Sequence, residues 1–397
     1  MNVIIPDKVS ATSKRLLEAQ GFVVTQKAGI GIDEANTLAK GADALIVRSY
    51  SLHELSFHLS LKAIGRAGAG VNNIPVEGCT KKGVVVFNTP GANANAVKEL
   101  VLCGLLLSSR QIIDGVNWTS GQKEHGENLL REVEKNKGQF RGSEIAGKTL
   151  GVVGLGAVGM LVANDAVALG MRVIGHDPYL SVDNAWHLSK EVKKAESLDS
   201  LLSQSDYLTI HVPLLDSTNR MFNAKLFAKM KRGIRIMNFS RYEIISGADL
   251  IAALGSGIVA RYVTDFPTHD LLGVKGVIAI PHLGASTEEA EENCAVMAAK
   301  QIAAFLKEGT ITNSVNFPDC SLPRGGKTRL TLVNLNVPKM IEKITTALGE
   351  ANLNITDMVN KSRGDIAYTI IDLDQEVDDE MVSELGSFEG IVKVRKI

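Results

Sequence analysis

The stretch KTLGVVGLGAVGMLVANDAVALGMRVIGHDPYL (residues 148–180) decides the fold class of this chain. An apolar strand (149–153) leads into the glycine turn GLGAVG (154–159), and an apolar helix then runs to about Leu169. A second apolar strand (172–175) comes next. A glycine turn between a strand and a helix, inside a strand–helix–strand unit, is typical of dinucleotide-binding α/β domains.

Each glycine of this turn has its own physical role. Gly154 allows the tight turn, Gly156 lets the backbone approach a pyrophosphate, and Gly159 lets the helix pack on the strand. The first helical residues, Ala157 and Val158, offer free N–H donors at the positive end of the helix dipole. We therefore expect these five residues to bind the phosphates of a nucleotide.

The acidic residue after the second strand indicates which nucleotide is bound. Asp177 lies 18 residues beyond Gly159, where a carboxylate accepts hydrogen bonds from the adenosine ribose hydroxyls. It would repel a 2′-phosphate, and the next residue is Pro178 rather than an arginine. The pattern predicts NAD as the cofactor, against the alternative of an α/β domain that binds no nucleotide.

The composition is that of an ordinary globular protein of two or three domains, with 397 residues, 45% hydrophobic and 22% charged. A net charge of −1 provides no overall field that favours nucleic acid or an anionic membrane. The four cysteines form no C-x-x-C pair, so we expect a reducing compartment without disulfides or a metal site. No signal peptide and no apolar run of the ~20 residues needed to cross a bilayer is recognised, and a cytoplasmic protein is expected.

Two α/β alternations and a shorter third segment follow one another along the chain. Strands alternate with helices over residues 1–93, and a long apolar helix is predicted over 94–115. A charged stretch (120–141) is predicted as one exposed helix and a loop. The second alternation runs from 148 to 281, and a helix from about 287 to 307 follows it. Such alternation implies parallel sheets.

The remaining sequence completes the predicted architecture. Residues 310–327 hold two prolines and two glycines with little periodicity and indicate a linker. Residues 328–397 are predicted in the order βαββαβ, which is the ferredoxin-like pattern. The expected fold class is α/β, with two Rossmann-like doubly wound parallel-sheet domains, the first discontinuous, and a C-terminal ferredoxin-like domain. The predicted boundaries are 1–93 and 285–312 for the substrate domain, 94–284 for the NAD-binding domain, 313–327 for the linker and 328–397 for the C-terminal domain.

Two residues at predicted strand ends are candidates for hydride-transfer chemistry. His282 follows the apolar run 278–280 and Pro281 and precedes a helix, where open α/β folds place their ligands. A histidine titrates near neutral pH and suits a proton acceptor. Arg241 follows another apolar strand, and a guanidinium fork suits a carboxylate. Each residue, if it stood alone, would be read as a structural histidine or a surface arginine.

Five motifs place these candidates in a family. They are NTPGANANAVKEL (88–100), GLGAVG (154–159), HVPLLDST (211–218), NFSR (238–241) and PHLGASTEEAE (281–291). In this order they resemble the D-2-hydroxyacid dehydrogenase family over roughly residues 1–315. The resemblance implies NAD-linked oxidation of a small 2-hydroxy acid by an arginine, an acid and a histidine. Arg241 and His282 match the arginine and the histidine.

The acid of that set is ambiguous. The family carries Asp-x-Phe-x-x-Glu-Pro, whereas this chain reads TDFPTHD (264–270). The family's glutamate falls on His269, and its aspartate falls on the residue before Asp265. Asp270 is assigned as the partner of His282 and Asp265 as a cofactor-side residue, and the choice between the two aspartates stays open. His269 is interpreted as a solvated loop residue.

The resemblance also assigns residues around the substrate and the cofactor. Substrate contacts are expected at Arg48, Ser49, Gly70, Val71, Asn72, Asn93 and Lys137. Further cofactor contacts are expected at Pro213, Phe239, Ser240, Asp265 and Gly284. Arg48 and Ser49 match a phosphate-holding pair, and the glycine turn at 70–72 offers N–H groups to a carboxylate. Lys137 matches a cation that reaches into a neighbouring subunit, but Lys135 stands where an aromatic residue is usual.

The C-terminal segment resembles an ACT regulatory domain. Ligand-binding members carry Asn-x-Pro-Gly at the first strand–helix turn and a later asparagine. This chain has Asn336, Pro338 and Asn354 at these positions, but Lys339 replaces the glycine and would crowd a ligand. Serine as an effector and a role in subunit pairing alone are therefore alternatives. A homodimer or homotetramer is expected.

The reaction expected from the resemblance is the NAD-dependent oxidation of 3-phosphoglycerate to 3-phosphohydroxypyruvate in L-serine synthesis. The Arg48-Ser49 pair and the C-terminal segment favour this phosphorylated substrate. One alternative is a glyoxylate/hydroxypyruvate reductase or another D-2-hydroxyacid dehydrogenase. Another is a non-enzymatic, NAD-sensing, corepressor-like protein. The altered acid motif favours that last alternative, and the intact Arg241 and His282 argue against it.

Overall fold

The computed structural model describes residues 1–397 and separates into two units. One unit comprises residues 1–93 and 288–397, and the other comprises residues 94–287. The domain boundaries expected from the sequence stay a prediction. None of the helices combines the length and the apolar character that crossing a bilayer requires.

The first 93 residues form a five-stranded parallel sheet of order β2-β1-β3-β4-β5. Its strands are β1 (Asn2–Ile5), β2 (Val23–Gln26), β3 (Ala44–Val47), β4 (Ala63–Arg66) and β5 (Val85–Phe87). The helices between them are α1 (Ala11–Ala19), α2 (Ile32–Ala39) and α3 (Val76–Lys81). The central strand β3 reads ALIV and is buried throughout, as expected for a parallel sheet covered on both faces.

Residues 94–287 contain a seven-stranded parallel sheet of order β12-β11-β10-β9-β6-β7-β8. Its strands are β6 (Thr149–Val153), β7 (Arg172–His176), β8 (Lys193–Lys194), β9 (Tyr207–Ile210), β10 (Ile234–Asn238), β11 (Val259–Thr264) and β12 (Val277–Ala279). The strands after β6 are added first on one side of it (β7 and β8) and then on the other (β9 to β12), so the strand order reverses beside β6. The glycine turn follows this strand. Ligands of open α/β sheets bind at such a switch point.

The helices of this unit differ in one place from the prediction. They are α4 (Ala94–Ser109), α5 (Ile112–Ser120), α6 (Leu129–Asn136), α7 (Ala157–Ala168), α8 (Val182–His187), α9 (Leu198–Gln204), α10 (Ala224–Phe227) and α11 (Gly247–Ser256), with 3-10 turns at Lys123–Asn128, Lys137–Phe140, Tyr242–Ile244 and His269–Leu271. The single helix predicted over 94–115 ends at Ser109. The Ser109 carbonyl accepts the Ser143 N–H at 3.1 Å, so the helical hydrogen bonding does not continue past it.

The C-terminal part has the predicted βαββαβ order. After α12 (Glu288–Glu308), its elements are β13 (Thr328–Leu335), α13 (Met340–Glu350), β14 (Ile355–Arg363), β15 (Ile366–Leu373), α14 (Asp379–Ser387) and β16 (Ile391–Lys396). The four strands form an antiparallel sheet of order β14-β15-β13-β16. Two parallel sheets and one small antiparallel sheet confirm the predicted fold class.

The C-terminal sheet shares a hydrophobic core with α12 and the first sheet. Phe305 of α12 lies 5.7 Å from Phe87 and 6.4 Å from Tyr368, measured between ring centroids. Arg329, 1% exposed, forms two 2.7 Å bonds to Asp372 and donates to the carbonyl of the last α12 residue at 2.8 Å. Residues 328–397 thus belong to the first unit, and their status as a separate domain stays a prediction.

The predicted linker is partly packed into this unit. Phe317 is fully buried, and the side chain of Asn316 bonds to three groups of the first segment. It accepts the N–H of Val86 at 2.8 Å and donates to Thr80 and the Val84 carbonyl at 3.0 Å. The linker residues 314–317 therefore extend the core of the first sheet.

Candidate active site

The glycine turn between β6 and α7 has the shape of a pyrophosphate cradle. Gly154 has φ of +90°, and a Cβ there would lie 2.8 Å from the His211 carbonyl. A Cβ on Gly159 would overlap the Gly154 carbonyl oxygen. Gly156, in contrast, has no atom within 4 Å of where its Cβ would stand. The free space at Gly156 and the first N–H groups of α7 fit a dinucleotide phosphate.

Asp177 follows β7 and faces the glycine turn. Its Oδ2 accepts the N–H of Leu155 at 2.8 Å, and its Oδ1 accepts the N–H of Tyr179 at 2.8 Å. These bonds hold the carboxylate beside the turn. The position fits the predicted contact with the adenosine ribose.

The loop after β9 supports the same turn. Loss of solvation lowers the pKa of His211 to about 3, so this histidine is neutral at physiological pH. Its Nε2 lies 2.8 Å from the Thr209 hydroxyl. The carbonyl of Pro213 accepts the Thr218 hydroxyl at 2.6 Å and shapes the loop. The cofactor contact at Pro213 stays a prediction.

One aromatic ring, that of Phe266, lies close to both Arg241 and His282. The guanidinium carbon of Arg241 is 5.6 Å from the centroid of the Phe266 ring, and the His282 ring centroid is 4.5 Å from it. The Arg241 carbonyl accepts the Asn238 amide at 2.9 Å, and Nη1 donates to the Ser240 carbonyl at 2.6 Å. The predicted cation and the predicted base therefore contact one apolar surface. Sequence reasoning missed Phe266, and its position just past the end of β11 was the available signal.

The buried carboxylate of this cluster is Asp265. It is 1% exposed, its Oδ2 accepts the Gly284 N–H at 2.8 Å, and its Oδ1 has no hydrogen-bond partner in the protein. Burial raises the pKa of Asp265, and the bond from Gly284 and the field of His282 offset only part of this rise. In its ionised form, the Asp265 carboxylate favours a positive charge on the neighbouring imidazole of His282.

Asp270, the partner assigned to His282 from the sequence, is exposed and lies in a 3-10 turn. Strand β11 pairs with β12 through Thr264 and Ala279, which brings Asp265 next to the turn that carries His282. The 3-10 turn His269–Leu271 instead directs Asp270 toward Gly247, where a Cβ would lie 2.7 Å from its Oδ2. These contacts favour Asp265 as the partner of His282, whereas the assignment of Asp270 stays a prediction that its own contacts do not support.

The two residues before Arg241 face different surroundings. The Ser240 hydroxyl donates to the Ile210 carbonyl at 2.7 Å, which joins the ends of β9 and β10. The side chain of Phe239 is buried and packs against α4 at Gly104. Any contact of Phe239 with a cofactor is therefore left to its backbone.

In the first unit, Asp7 organises the segment that carries the predicted phosphate contacts. Its Oδ2 accepts the N–H groups of Arg48, Ser49 and Tyr50 at 2.8, 2.5 and 2.7 Å. Burial raises the pKa of Asp7, but these bonds and one from Lys8 outweigh it, so the pKa lies below its usual value. Asp7 was missed in the sequence because its partners lie about 40 residues away.

Asn73 joins this segment to the turn predicted to bind the substrate carboxylate. Its side-chain amide donates to the Tyr50 carbonyl at 2.8 Å, and its main-chain carbonyl accepts the Leu52 N–H at 2.8 Å. The residues predicted at 48–49 and at 70–72 are therefore held together. The Arg48 guanidinium itself pairs with Glu291 at 2.8 Å, a residue that sequence reasoning did not single out.

Two other predicted substrate residues stay predictions. Asn93 is half-buried and directly precedes α4. Lys137 is exposed at the start of a 3-10 turn and pairs with Glu134 at 2.5 Å.

The predicted effector residues bond within the C-terminal sheet. The Asn336 amide donates to the Gly364 carbonyl at 3.1 Å, and the Asn354 amide donates to Asp374 at 3.0 Å. Lys339 has φ of +68°, the left-handed conformation that glycine adopts freely. The lysine thus occupies a position suited to glycine, and effector binding stays a prediction.

Comparison with known proteins identifies the family of this chain. Residues 105–284 match the family described as D-isomer specific 2-hydroxyacid dehydrogenase, NAD binding domain. The chain is similar to D-3-phosphoglycerate dehydrogenase of Rattus norvegicus, with 33% identity over 79% of this chain and 58% of that protein. It is also similar to D-3-phosphoglycerate dehydrogenase of Methanocaldococcus jannaschii, with 31% identity over 94% of this chain and 69% of that protein.

A solved structure agrees with these matches. The NAD+-bound 3-phosphoglycerate dehydrogenase of Entamoeba histolytica superposes with a TM-score of 0.61 and 26% identity, covering 81% of this chain and 99% of that one. The expected family and the expected cofactor, NAD, are confirmed. The chain spans little more than half the length of the rat relative.

Proposed function

This chain belongs to the D-isomer specific 2-hydroxyacid dehydrogenase family, and we propose that it oxidises D-3-phosphoglycerate to 3-phosphohydroxypyruvate with NAD in L-serine synthesis. The observation that carries the proposal is the cluster of Asp265, Phe266, His282 and Arg241. It supplies a base, an acid partner and a cation at the carboxyl edge of the NAD-binding sheet. A protein that only sensed NAD would not need this set. The curated relatives described above carry the name of this activity.

The residues divide the chemical work among them. NAD, held at the glycine turn and at Asp177, would supply the hydride acceptor. His282 would take the proton of the C2 hydroxyl, and the carboxylate of Asp265 would stabilise the imidazolium that forms. Arg241 would pair with the substrate carboxylate and, in the reverse direction, polarise the carbonyl group.

The substrate contacts of the first unit rest on the held segment 48–50. Arg48 and Ser49 would bind the phosphate, and the N–H groups of the turn 70–72 would bind the carboxylate. The fixed backbone at Asp7 supports this role, since a preorganised segment loses little entropy on binding. Asn93 and, from a neighbouring subunit, Lys137 would complete the site.

We further propose a cytoplasmic homo-oligomer whose ACT-like segment 328–397 pairs subunits. Lys339 at the glycine position makes serine a weaker candidate effector. One observation favours a second function, that of a glyoxylate/hydroxypyruvate reductase. Glu291 neutralises the charge of Arg48. A substrate without a phosphate would not need a free guanidinium at this position.

The test is a set of initial rates followed by NADH absorbance with 3-phosphohydroxypyruvate, hydroxypyruvate, glyoxylate and 2-oxoglutarate. We expect a clear preference for the phosphorylated acid in kcat/KM, and its loss in Arg48→Ala. Equal or higher rates with the unphosphorylated acids would instead establish the reductase. No turnover with any of the four would refute the enzyme assignment.

A further inference from the structure

The side chain of Arg48 is occupied by a carboxylate of its own chain. Its Nη2 lies 2.8 Å from Oε1 of Glu291, which belongs to the first turn of α12. Both side chains keep contact with solvent, with 29% and 40% exposed. The pair is therefore accessible to a ligand and is not a buried structural ion pair.

The backbone around this pair is fixed, whereas the charged groups are free to exchange partners. Asp7 holds the N–H groups of residues 48–50, and Asn73 holds the Tyr50 carbonyl. An incoming anion can thus change the partner of the guanidinium without moving the strand end. The competing carboxylate sits on a long helix whose position is set by the core of the unit.

The same corner concentrates further charge. Burial raises the pKa of the Cys294 thiol, and the fields of Arg66 and Arg48 lower it while that of Glu291 raises it. The guanidinium groups of Arg48 and Arg66, at the ends of β3 and β4, and the carboxylate of Glu291 therefore all act on the Cys294 thiol. A phosphate dianion that entered would meet both the attraction of the arginines and the repulsion of Glu291.

We propose that Glu291 is a specificity-determining residue that competes with the substrate phosphate for the guanidinium of Arg48. The proposal rests on the proposed function, in which Arg48 binds that phosphate. In the free protein Glu291 satisfies Arg48, and a phosphorylated acid binds only by displacing it. Acids without a phosphate leave the pair intact. Glu291 therefore reduces the difference in KM between phosphorylated and unphosphorylated acids.

The expected size of the effect follows from the charges. A phosphate dianion on Arg48 would lie roughly 6 Å from the Glu291 carboxylate, and in water this repulsion, reduced by salt, changes affinity about fivefold. Glu291→Gln keeps the shape and removes the charge. We therefore expect KM for 3-phosphohydroxypyruvate to fall about fivefold with kcat unchanged, and KM for hydroxypyruvate to stay the same.

Glu289→Gln is the matched control. Glu289 lies in the same helical turn, is exposed and forms no ion pair. Its replacement therefore changes the net charge, and the interaction of that charge with the helix dipole, as much as Glu291→Gln does. We expect no change in either KM for this variant. Raising the ionic strength from about 0.05 M to about 0.5 M should shrink the effect of Glu291→Gln, because screening weakens the repulsion. Melting temperatures of both variants, and of Glu291→Ala, identify any folding defect.

Inorganic phosphate gives a reading that does not depend on the natural substrate. Its inhibition constant against hydroxypyruvate should fall about fivefold in Glu291→Gln and stay constant in Glu289→Gln. An unchanged or higher constant in Glu291→Gln overturns the inference. If the wild type prefers unphosphorylated acids, the proposed function fails, and the phosphate constants still decide whether Glu291 excludes the anion.

Discussion

Replacing Asp265 with asparagine separates the catalytic from the structural role of this buried carboxylate. The side-chain oxygen of the introduced asparagine can still accept the N–H that Gly284 donates to Oδ2 of Asp265 at 2.8 Å. The change therefore removes the negative charge beside His282 and keeps the size of the side chain and this hydrogen bond. We expect Asp265→Asn to fold normally and to lose most of its activity.

The size of the loss follows from the charge pair that forms during reaction. Opposite charges within the roughly 4–6 Å over which neighbouring groups shift each other's pKa stabilise one another by roughly 3 kcal/mol at an effective dielectric constant of about 20. Loss of this energy in the transition state lowers kcat by about 150-fold. KM should change little, because the imidazolium is absent when substrate binds.

Folding stability should move in the opposite direction. Burial raises the pKa of Asp265, so its ionised form costs stability once the pH exceeds the unfolded value of about 3.9. The cost is absent below that pH and fully present above the folded pKa. We expect the free energy of unfolding of Asp265→Asn at neutral pH to equal or exceed that of the wild type, measured by urea denaturation.

Asp270→Asn is the matched comparison for activity, since Asp270 is exposed and lies toward Gly247. Steady-state rates with NADH and 3-phosphohydroxypyruvate are measured for both variants between about pH 6 and pH 9, the range in which histidine and its partners titrate. We expect Asp270→Asn to keep nearly full activity. Near-wild-type kcat in Asp265→Asn, together with a large loss in Asp270→Asn, would refute the reasoning from strand register.

Three further predictions test other parts of the structure. Gly156→Ala should fold but bind NADH at least about tenfold more weakly, measured by fluorescence titration. Gly159→Ala should lower the melting temperature, because its Cβ would overlap the Gly154 carbonyl oxygen. Asp372→Asn leaves the buried guanidinium of Arg329 unpaired and should lower the free energy of unfolding in urea by about 3–5 kcal/mol; Arg329→Met combined with Asp372→Leu should restore most of it, and a failure to do so would contradict this account. Burial lowers the pKa of Lys393 to about 8, so between pH 8 and about 10.4 the unfolded chain binds a proton that the folded chain has lost, and stability should rise with pH. Lys393→Met should remove that rise, and an unchanged pH profile would contradict the prediction.

Local patterns predicted the parts of the fold whose causes are local. The strand at 149–153 and the turn after it were readable because glycine spacing and apolar periodicity act within a few residues. The βαββαβ order after residue 328 was readable for the same reason. The break after Ser109 was not, because its cause is a hydrogen bond from Ser143, far along the chain.

The candidate site shows the same limit. Arg241 and His282 were found from strand ends and motif order, but the acid was assigned from the spacing of a loop motif. The register of β11 against β12 decides which aspartate reaches the histidine, and a single sequence carries no direct signal of register. Asp7 and Glu291 were missed because their partners lie in other segments of the chain.

The core shared by the first sheet, α12 and the C-terminal strands has a consequence for how the protein is made. Residues 94–287 are synthesised between the two parts of this core, a delay of roughly 10–40 s at typical elongation rates. Until Phe305 leaves the ribosome, Phe87 and the strands beside it lack the apolar partners that cover them in the finished unit. The nascent chain therefore exposes an apolar sheet face while the second unit is synthesised. Chaperones that bind exposed apolar surfaces would bind this face during that interval.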